Sequence, residues 1–330
     1  MRTRWIQFLA VGAACAALGV GCGGDDEEPA SSGGGSGQQQ QEAVTLKVGV
    51  IPIADVAPLY LGIKKGFFEE ENLTIQPQLA EGGAAIIPSV MSGDYQIGFS
   101  NAVSLLIAAS KDLPVQIISQ GVLGGASEEE AWDAVVLPKG SDVKTAKDLE
   151  GKTIAVNTLN NIGPVTINSW LEKNGADYKK VKYVEVPFPD MGPALAAKRV
   201  DAAFTVEPAY SGAVAGGGTP LFSSYVATAP NLTVATYFAS KQYIAENKDI
   251  VERFQRAMTK SLEYAAENDQ EVRDVVKEYT EIPPEVIDKI HLPTWKADLN
   301  EPTIKTLSEL SLKYGFIEEE PDLNELILRD

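Results

Sequence analysis

From Val44 onward, short runs of aliphatic and β-branched residues alternate with longer stretches whose apolar positions recur at helical spacing. The pattern predicts strands over 46–52, 73–79, 96–99 and 115–119. Between them it predicts helices over 58–71, 86–93 and 102–110. In the first of these helices, Leu59, Ile63, Phe67 and Phe68 share one side. The alternation resumes after Pro138, with strands expected over 153–157, 181–186 and 202–206 and helices over 165–174 and 192–198. A strand followed by a helix and another strand implies parallel pairing through right-handed crossovers, so two α/β units are expected. The last third, 241–329, reads as charged helix broken at Pro283-Pro284, Pro293 and Pro302. There Phe254, Met258, Leu262 and Ala265 fall at helical spacing, the stripe of a helix packed on a sheet.

The first 21 residues have another pattern. Arg2 and Arg4 precede an apolar run over 6–20, too short for an ordinary membrane span and typical of an export signal. The run ends at Leu18-Gly19-Val20-Gly21-Cys22, which resembles a bacterial lipobox, although Leu18 stands four places before the cysteine. Cys15 is the alternative acceptor, and a plain secretory signal with a fortuitous cysteine is the other reading. Residues 23–43 are polar and of low complexity, as in a flexible tether. The chain is therefore divided into a signal at 1–21, a lipidated Cys22 with its linker at 22–43, and a folded part from 44. Two acyl chains on Cys22 suffice for stable anchoring at the outer face of a membrane.

Composition narrows the function. The chain has 330 residues, 28 basic and 46 acidic, for a net charge of −18. Loss of Arg2 and Arg4 with the leader makes it two units more negative. Affinity for nucleic acid is thereby disfavoured. The single histidine, His291, offers no polyhistidine metal site, and the two cysteines offer no disulfide framework once Cys15 is removed. No metal or cofactor is expected.

Four segments carry a resemblance to a known family. They are Val48-Gly49-Val50-Ile51-Pro52 with Ala57-Pro58-Leu59-Tyr60-Leu61-Gly62; Gly82-Gly83-Ala84 with Met91-Ser92-Gly93-Asp94-Tyr95-Gln96-Ile97-Gly98; Asp148-Leu149-Glu150-Gly151-Lys152-Thr153; and Ala194-Leu195-Ala196-Ala197-Lys198-Arg199-Val200-Asp201-Ala202-Ala203 with Val206-Glu207-Pro208. In this order they are similar to the extracytoplasmic solute-binding proteins of ABC importers for aliphatic sulfonates, nitrate, taurine and thiamine-precursor pyrimidines. The resemblance implies a two-lobed, type II periplasmic-binding-protein-like α/β fold with mostly parallel sheets. Lobe 1 would comprise 44–135 plus 232–330 and lobe 2 136–231, with crossings near 132–138 and 231–239 and the helical tail packed on lobe 1. It also implies a monomer that captures a small organic solute and delivers it to a permease and its ATPase. The rivals are a ligand-sensing surface receptor and an enzyme of the same fold that makes the thiamine pyrimidine. That enzyme's chemistry needs a donor histidine, a lysine and an iron site, which these residues do not supply.

In open parallel sheets ligands bind beyond the carboxyl ends of the strands, so the loops there are the candidate site. After the first strand, Asp55, Ala57 and Pro58 enter a helix, with Asp55 either its cap or a partner for a ligand's amine. Gly83 and Ala84 open the next helix and leave its N–H groups approachable. Ser100 and Asn101 are competent caps of the third. In the second unit, Asn160, Asn161 and Ile162 precede one helix and Asp190 another, and Glu207 follows a strand. Trp132 and Phe188 could stack on a ring or belong to the core. No Lys or Arg lies in these loops. An anion would have to be held by N–H groups and hydroxyls, and the carboxylates weigh against a doubly charged one.

Overall fold

The computed structural model describes residues 42–329. The expected leader, Cys22 and most of the tether lie outside them. In β1 (Val44–Val50), Leu46, Val48 and Val50 are buried while Thr45 and Lys47 are exposed, the period-two signature of a strand. A 3-10 turn, Ala54–Val56, leads into α1 (Ala57–Lys64), with Pro58 in its first turn, where its missing N–H costs no hydrogen bond. The single helix expected over 58–71 is divided. Gly66 takes a left-handed φ of 78°, which ends α1 and starts α2 (Phe67–Glu70). Next come β2 (Leu73–Leu79), α3 (Gly83–Met91), β3 (Ile97–Asn101), α4 (Ala102–Ala109) and β4 (Val115–Leu123).

The chain then builds a second sheet. It contains β5 (Asp133–Leu137), β6 (Thr153–Val156), β7 (Lys182–Glu185), β8 (Ala202–Val206) and β9 (Thr219–Phe222). Its helices are α5 (Ile162–Lys173), α6 (Phe188–Ala196) and α7 (Ala209–Ala215), and α8 (Ser224–Thr228) follows β9. The chain returns to the first sheet as β10 (Thr233–Ser240). The helical tail consists of α9 (Lys241–Glu246), α10 (Lys248–Glu267), α11 (Asp269–Tyr279), α12 (Pro284–Ile287), α13 (Glu301–Lys313) and α14 (Leu323–Leu326).

The two sheets repeat one topology. Their orders are β2-β1-β3-β10-β4 and β7-β6-β8-β5-β9. In each, the three strands on one side pair in parallel, as the strand–helix alternation predicts. The fourth strand of each, β10 or β5, is antiparallel to both neighbours. These two strands are the first elements after each passage between sheets. Every residue of β5 and β10 is buried, so neither shows the hydrophobic–polar alternation by which an exposed strand is read.

The tail covers the first sheet and also reaches the second. α10 packs on α1, α2 and β4, and α11 on α1. The Phe254 ring lies 5.7 Å from that of Phe68 and 5.6 Å from that of Tyr237, and Met258 and Leu262 are fully buried beside it. α13 touches both α4 and α5, and α12 touches α7, so the tail bridges helices of both sheets. Among the described residues no helix is long and apolar enough to cross a membrane.

Candidate functional site

The carboxyl ends of β1, β3, β6 and β8 converge on one narrow cavity of about 20 Å³ between the sheets. Ile51, Ile53, Asp55, Phe99 and Asn101 line it from the first sheet, with Val234 and Ala235 of β10. Asn157, Asn161, Ile162, Phe204 and Val206 face them from the second, beside Phe188 and Tyr225. The wall is aromatic and amide-rich, carries one carboxyl group and has no Lys or Arg.

Asp55 is that carboxyl. It is 3% exposed, and its Oδ1 has no hydrogen-bond partner. The cap alternative for this side chain fails. The residue before α1 is Val56, and no side chain caps the helix, because Asp55 sits inside the preceding 3-10 turn. Burial pushes its carboxyl up to about 8, against the pull of its own backbone N–H, and the charge of Asp133 adds to the rise. At neutral pH Asp55 is therefore mostly a neutral acid that can donate a proton to a ligand acceptor or surrender it to a base. Its carbonyl receives the Trp295 indole N–H at 3.2 Å, which holds the turn in place.

Asparagines shape the rest of the cavity. Asn101 caps α4 through its Oδ1, which accepts from Ser104 N–H at 2.9 Å, as the sequence predicts. Ser100 does not cap: it is the fourth residue of β3, fully buried, with its hydroxyl on the Asn101 carbonyl. Asn161 caps α5 by accepting from Ile162 N–H and donates to Asn157 Oδ1. Asn160 points outward, but its carbonyl accepts the Ser104 hydroxyl at 2.8 Å across the gap between sheets. Asn157 reaches across in turn, donating to the Glu81 carbonyl at 3.3 Å. It was overlooked as a site residue, although a polar residue ending a parallel strand is itself a signal.

The remaining candidates divide. Ala57 and Pro58 are buried in the first turn of α1, outside the cavity lining. Gly83 opens α3, but a Cβ there would sit 2.1 Å from Ser100 Oγ and 2.8 Å from Ser100 Cα. Glycine is thus required by the packing of α3 on β3. Ala84 is half-buried next to it. Asp190 is exposed in the first turn of α6, which starts four residues earlier than expected, and it lines a wider outer cleft instead. Trp132 is fully buried, with its indole on the Leu123 carbonyl and its ring edge-on to Tyr225, so it belongs to the core. Phe188 lines both the inner cavity and the outer cleft.

Glu207 is fully buried but lies off the cavity lining. Its Oε1 accepts from the Ser211 hydroxyl at 2.8 Å and from His291 N–H at 3.1 Å, and its Oε2 from Ser211 N–H at 3.1 Å. Its carbonyl accepts Ala54 N–H at 2.9 Å. The end of β8 is thereby fastened both to the turn carrying Asp55 and to the tail. Burial raises this carboxyl to about 7 in spite of those donors.

Asp133, the first residue of β5, was not anticipated. It is 1% exposed and accepts from Ser223 Oγ, from Ser224 N–H at 2.9 Å and Oγ at 3.1 Å, and from Tyr225 N–H at 3.3 Å. It therefore ties the entry strand of the second sheet to the segment through which the chain leaves that sheet. Burial pushes it up to about 6, with these donors opposing the rise. The described residues contain no group of His, Cys, Asp and Glu side chains arranged to hold a metal ion.

Comparison with known proteins gives a consistent picture. The protein-family model described as NMT1/THI5 like matches residues 53–272. The formylaminopyrimidine-binding protein of Halalkalibacterium halodurans is 24% identical over 238 residues, 71% of this chain and 70% of that one. In fold, the alkanesulfonate-binding protein of Xanthomonas axonopodis pv. citri, solved with MOPS bound, has a TM-score of 0.74 at 17% identity, covering 88% of this chain and all of that one. The ligand-binding component of an ABC-type import system from Staphylococcus aureus has a TM-score of 0.75 at 13% identity, covering 87% and 97%. These two likenesses are of fold.

Proposed function

Because the chain belongs to the NMT1/THI5-like family, whose members similar to it are mainly solute-binding proteins, we propose that it is the substrate-binding lipoprotein of an ABC importer. It takes a small organic solute between its two sheets and presents the closed form to a permease. The observation that carries this reading is Asp55 Oδ1, buried in the inter-sheet cavity without a partner. Buried polar atoms in folded proteins are nearly always paired. A solute N–H at this oxygen would pair it, and Asn101 and Asn161 flank the same space.

The movement follows from the size of the cavity. About 20 Å³ holds roughly one water molecule. The walls must part to admit a solute and close again to touch it from both sides. The lobes that move are 44–135 plus 232–330 and 136–231, joined by the two passages between sheets. A solute bound by both walls shifts the open–closed population toward the closed form. The aromatic, carboxyl-bearing lining with no Lys or Arg favours a heteroaromatic solute over a sulfonate, taurine or nitrate.

The test is thermal unfolding of the full chain in neutral detergent with aminopyrimidines, taurine, alkanesulfonates and nitrate. A solute that binds the folded form alone adds about 2.7 kcal/mol at a hundredfold excess over Kd. A shift with an aminopyrimidine is the expected result, and a shift with nitrate or a sulfonate alone would reverse the assignment of solute class. The anchor is tested separately. Cys22→Ser should move the protein from the membrane fraction to the soluble one, and retention in the membrane would refute lipidation at this residue.

A further inference from the structure

The inner cavity opens toward a second, wider space. An outer cleft of about 380 Å³ shares Ile53 and Phe188 with it, so the two form one path from solvent to Asp55. The cleft has the volume of a small-molecule site. Its walls include apolar surface, with Leu79 59% exposed and the Tyr279 ring held by a bond from its hydroxyl to the Ile53 carbonyl at 3.0 Å. Its rim carries three exposed carboxylates from separate elements: Glu81 after β2, Asp190 in α6 and Glu281 after α11. No Lys or Arg lines the cleft, and among the described residues no cation pairs with any of the three. Every other part of the path that bears charge is acidic as well, since its inner end is the unpartnered Asp55.

We propose that the solute is elongated and positively charged at its outer end. A nitrogen heteroaromatic head reaches Asp55, and an ammonium-type tail lies among Glu81, Asp190 and Glu281. The inference rests on the inner cavity being the binding site and adds the charge and shape of the solute. Carboxylates converging on a cleft with low-dielectric walls focus a negative potential there, which draws cations in and turns anions away. The faces of Phe188 and Tyr279 add attraction for a cation at close range. A sulfonate, as bound by the Xanthomonas protein of this fold, would meet three like charges and no countercharge.

Isothermal titration of the full chain in neutral detergent tests this with three matched probes. They are 4-aminopyrimidine bearing a 2-aminoethyl tail, the same compound acetylated on that tail, and its 2-sulfonatoethyl counterpart. At low salt the amine should bind at least tenfold more tightly than the acetylated probe, and the sulfonate most weakly. The ratio should fall toward one near 1 M salt, where screening acts within about 3 Å. It should also fall in the triple variant Glu81→Gln, Asp190→Asn, Glu281→Gln. A ratio near one in the unaltered protein, or one unchanged in the triple variant, overturns the inference. If the acetylated probe then still binds and is weakened by Asp55→Asn, the inner-cavity reading survives. Binding of none of the three overturns both.

Discussion

Replacing Asp133 by alanine should cost about 2–4 kcal/mol of folding stability, because it strands several buried donors at once. The Ser223 and Ser224 hydroxyls can turn to other acceptors, but the N–H groups of Ser224 and Tyr225 are fixed by the backbone at the start of α8. Denaturant unfolding followed by circular dichroism reads the loss directly. Asp133→Asn, which keeps one acceptor oxygen, should recover part of it. The same carboxylate joins β5 to the segment leading back to β10, so the alanine variant should also loosen the passage between sheets and weaken solute binding. An unchanged unfolding midpoint would mean that α8 is held without Asp133.

Raising the pH from 5 to 8 should destabilise the solute-free protein, and Asp55→Asn should remove much of that dependence. The sign follows from the raised carboxyl. Unfolded, Asp55 ionises near its ordinary value of 3.8; folded, it keeps its proton to about 8. Between those limits the native state holds the extra proton, so its stability is highest below the lower limit and falls as pH rises through the window. Asp133, raised to about 6, and Glu207, raised to about 7, slope the same way over the lower part of the range. The combined effect is on the order of 2–4 kcal/mol, visible as a falling melting temperature in buffers of equal ionic strength. Asp55→Asn should also weaken solute binding by about 1.5–3 kcal/mol, the range of a hydrogen bond to a charged group. A pH slope that persists in this variant would assign the titration to Asp133 and Glu207 instead.

Much of the fold was legible because its signals are local. The spacing of Leu59, Ile63, Phe67 and Phe68 marked a helical face, and the capping role of Asn101 followed from its place before an apolar run. The division of that first helix at Gly66 was missed, since apolar spacing continues across the break while the backbone does not. β5 and β10 escaped because burial on both faces erases alternation. At the site, Asp55, Asn101, Asn161 and Ile162 were expected beyond the strand ends and do line the cavity, while Asp190 lines the outer cleft and Glu207 fastens the tail.

The sequence by itself determined the order of strands and helices, the charged helical tail, the exclusion of Lys and Arg from the loops and the family resemblance. These depend on composition and on spacings within a dozen residues. The tertiary structure alone decided that Asp55 is buried without a partner, that Asp133 rather than Asp190 lies near it, and that Asn157 and Ser104 bridge the sheets. Those facts arise where chain segments far apart in sequence pack face to face. A carboxylate's desolvation and its hydrogen-bond partners are set by what is brought against it, and no local pattern records that.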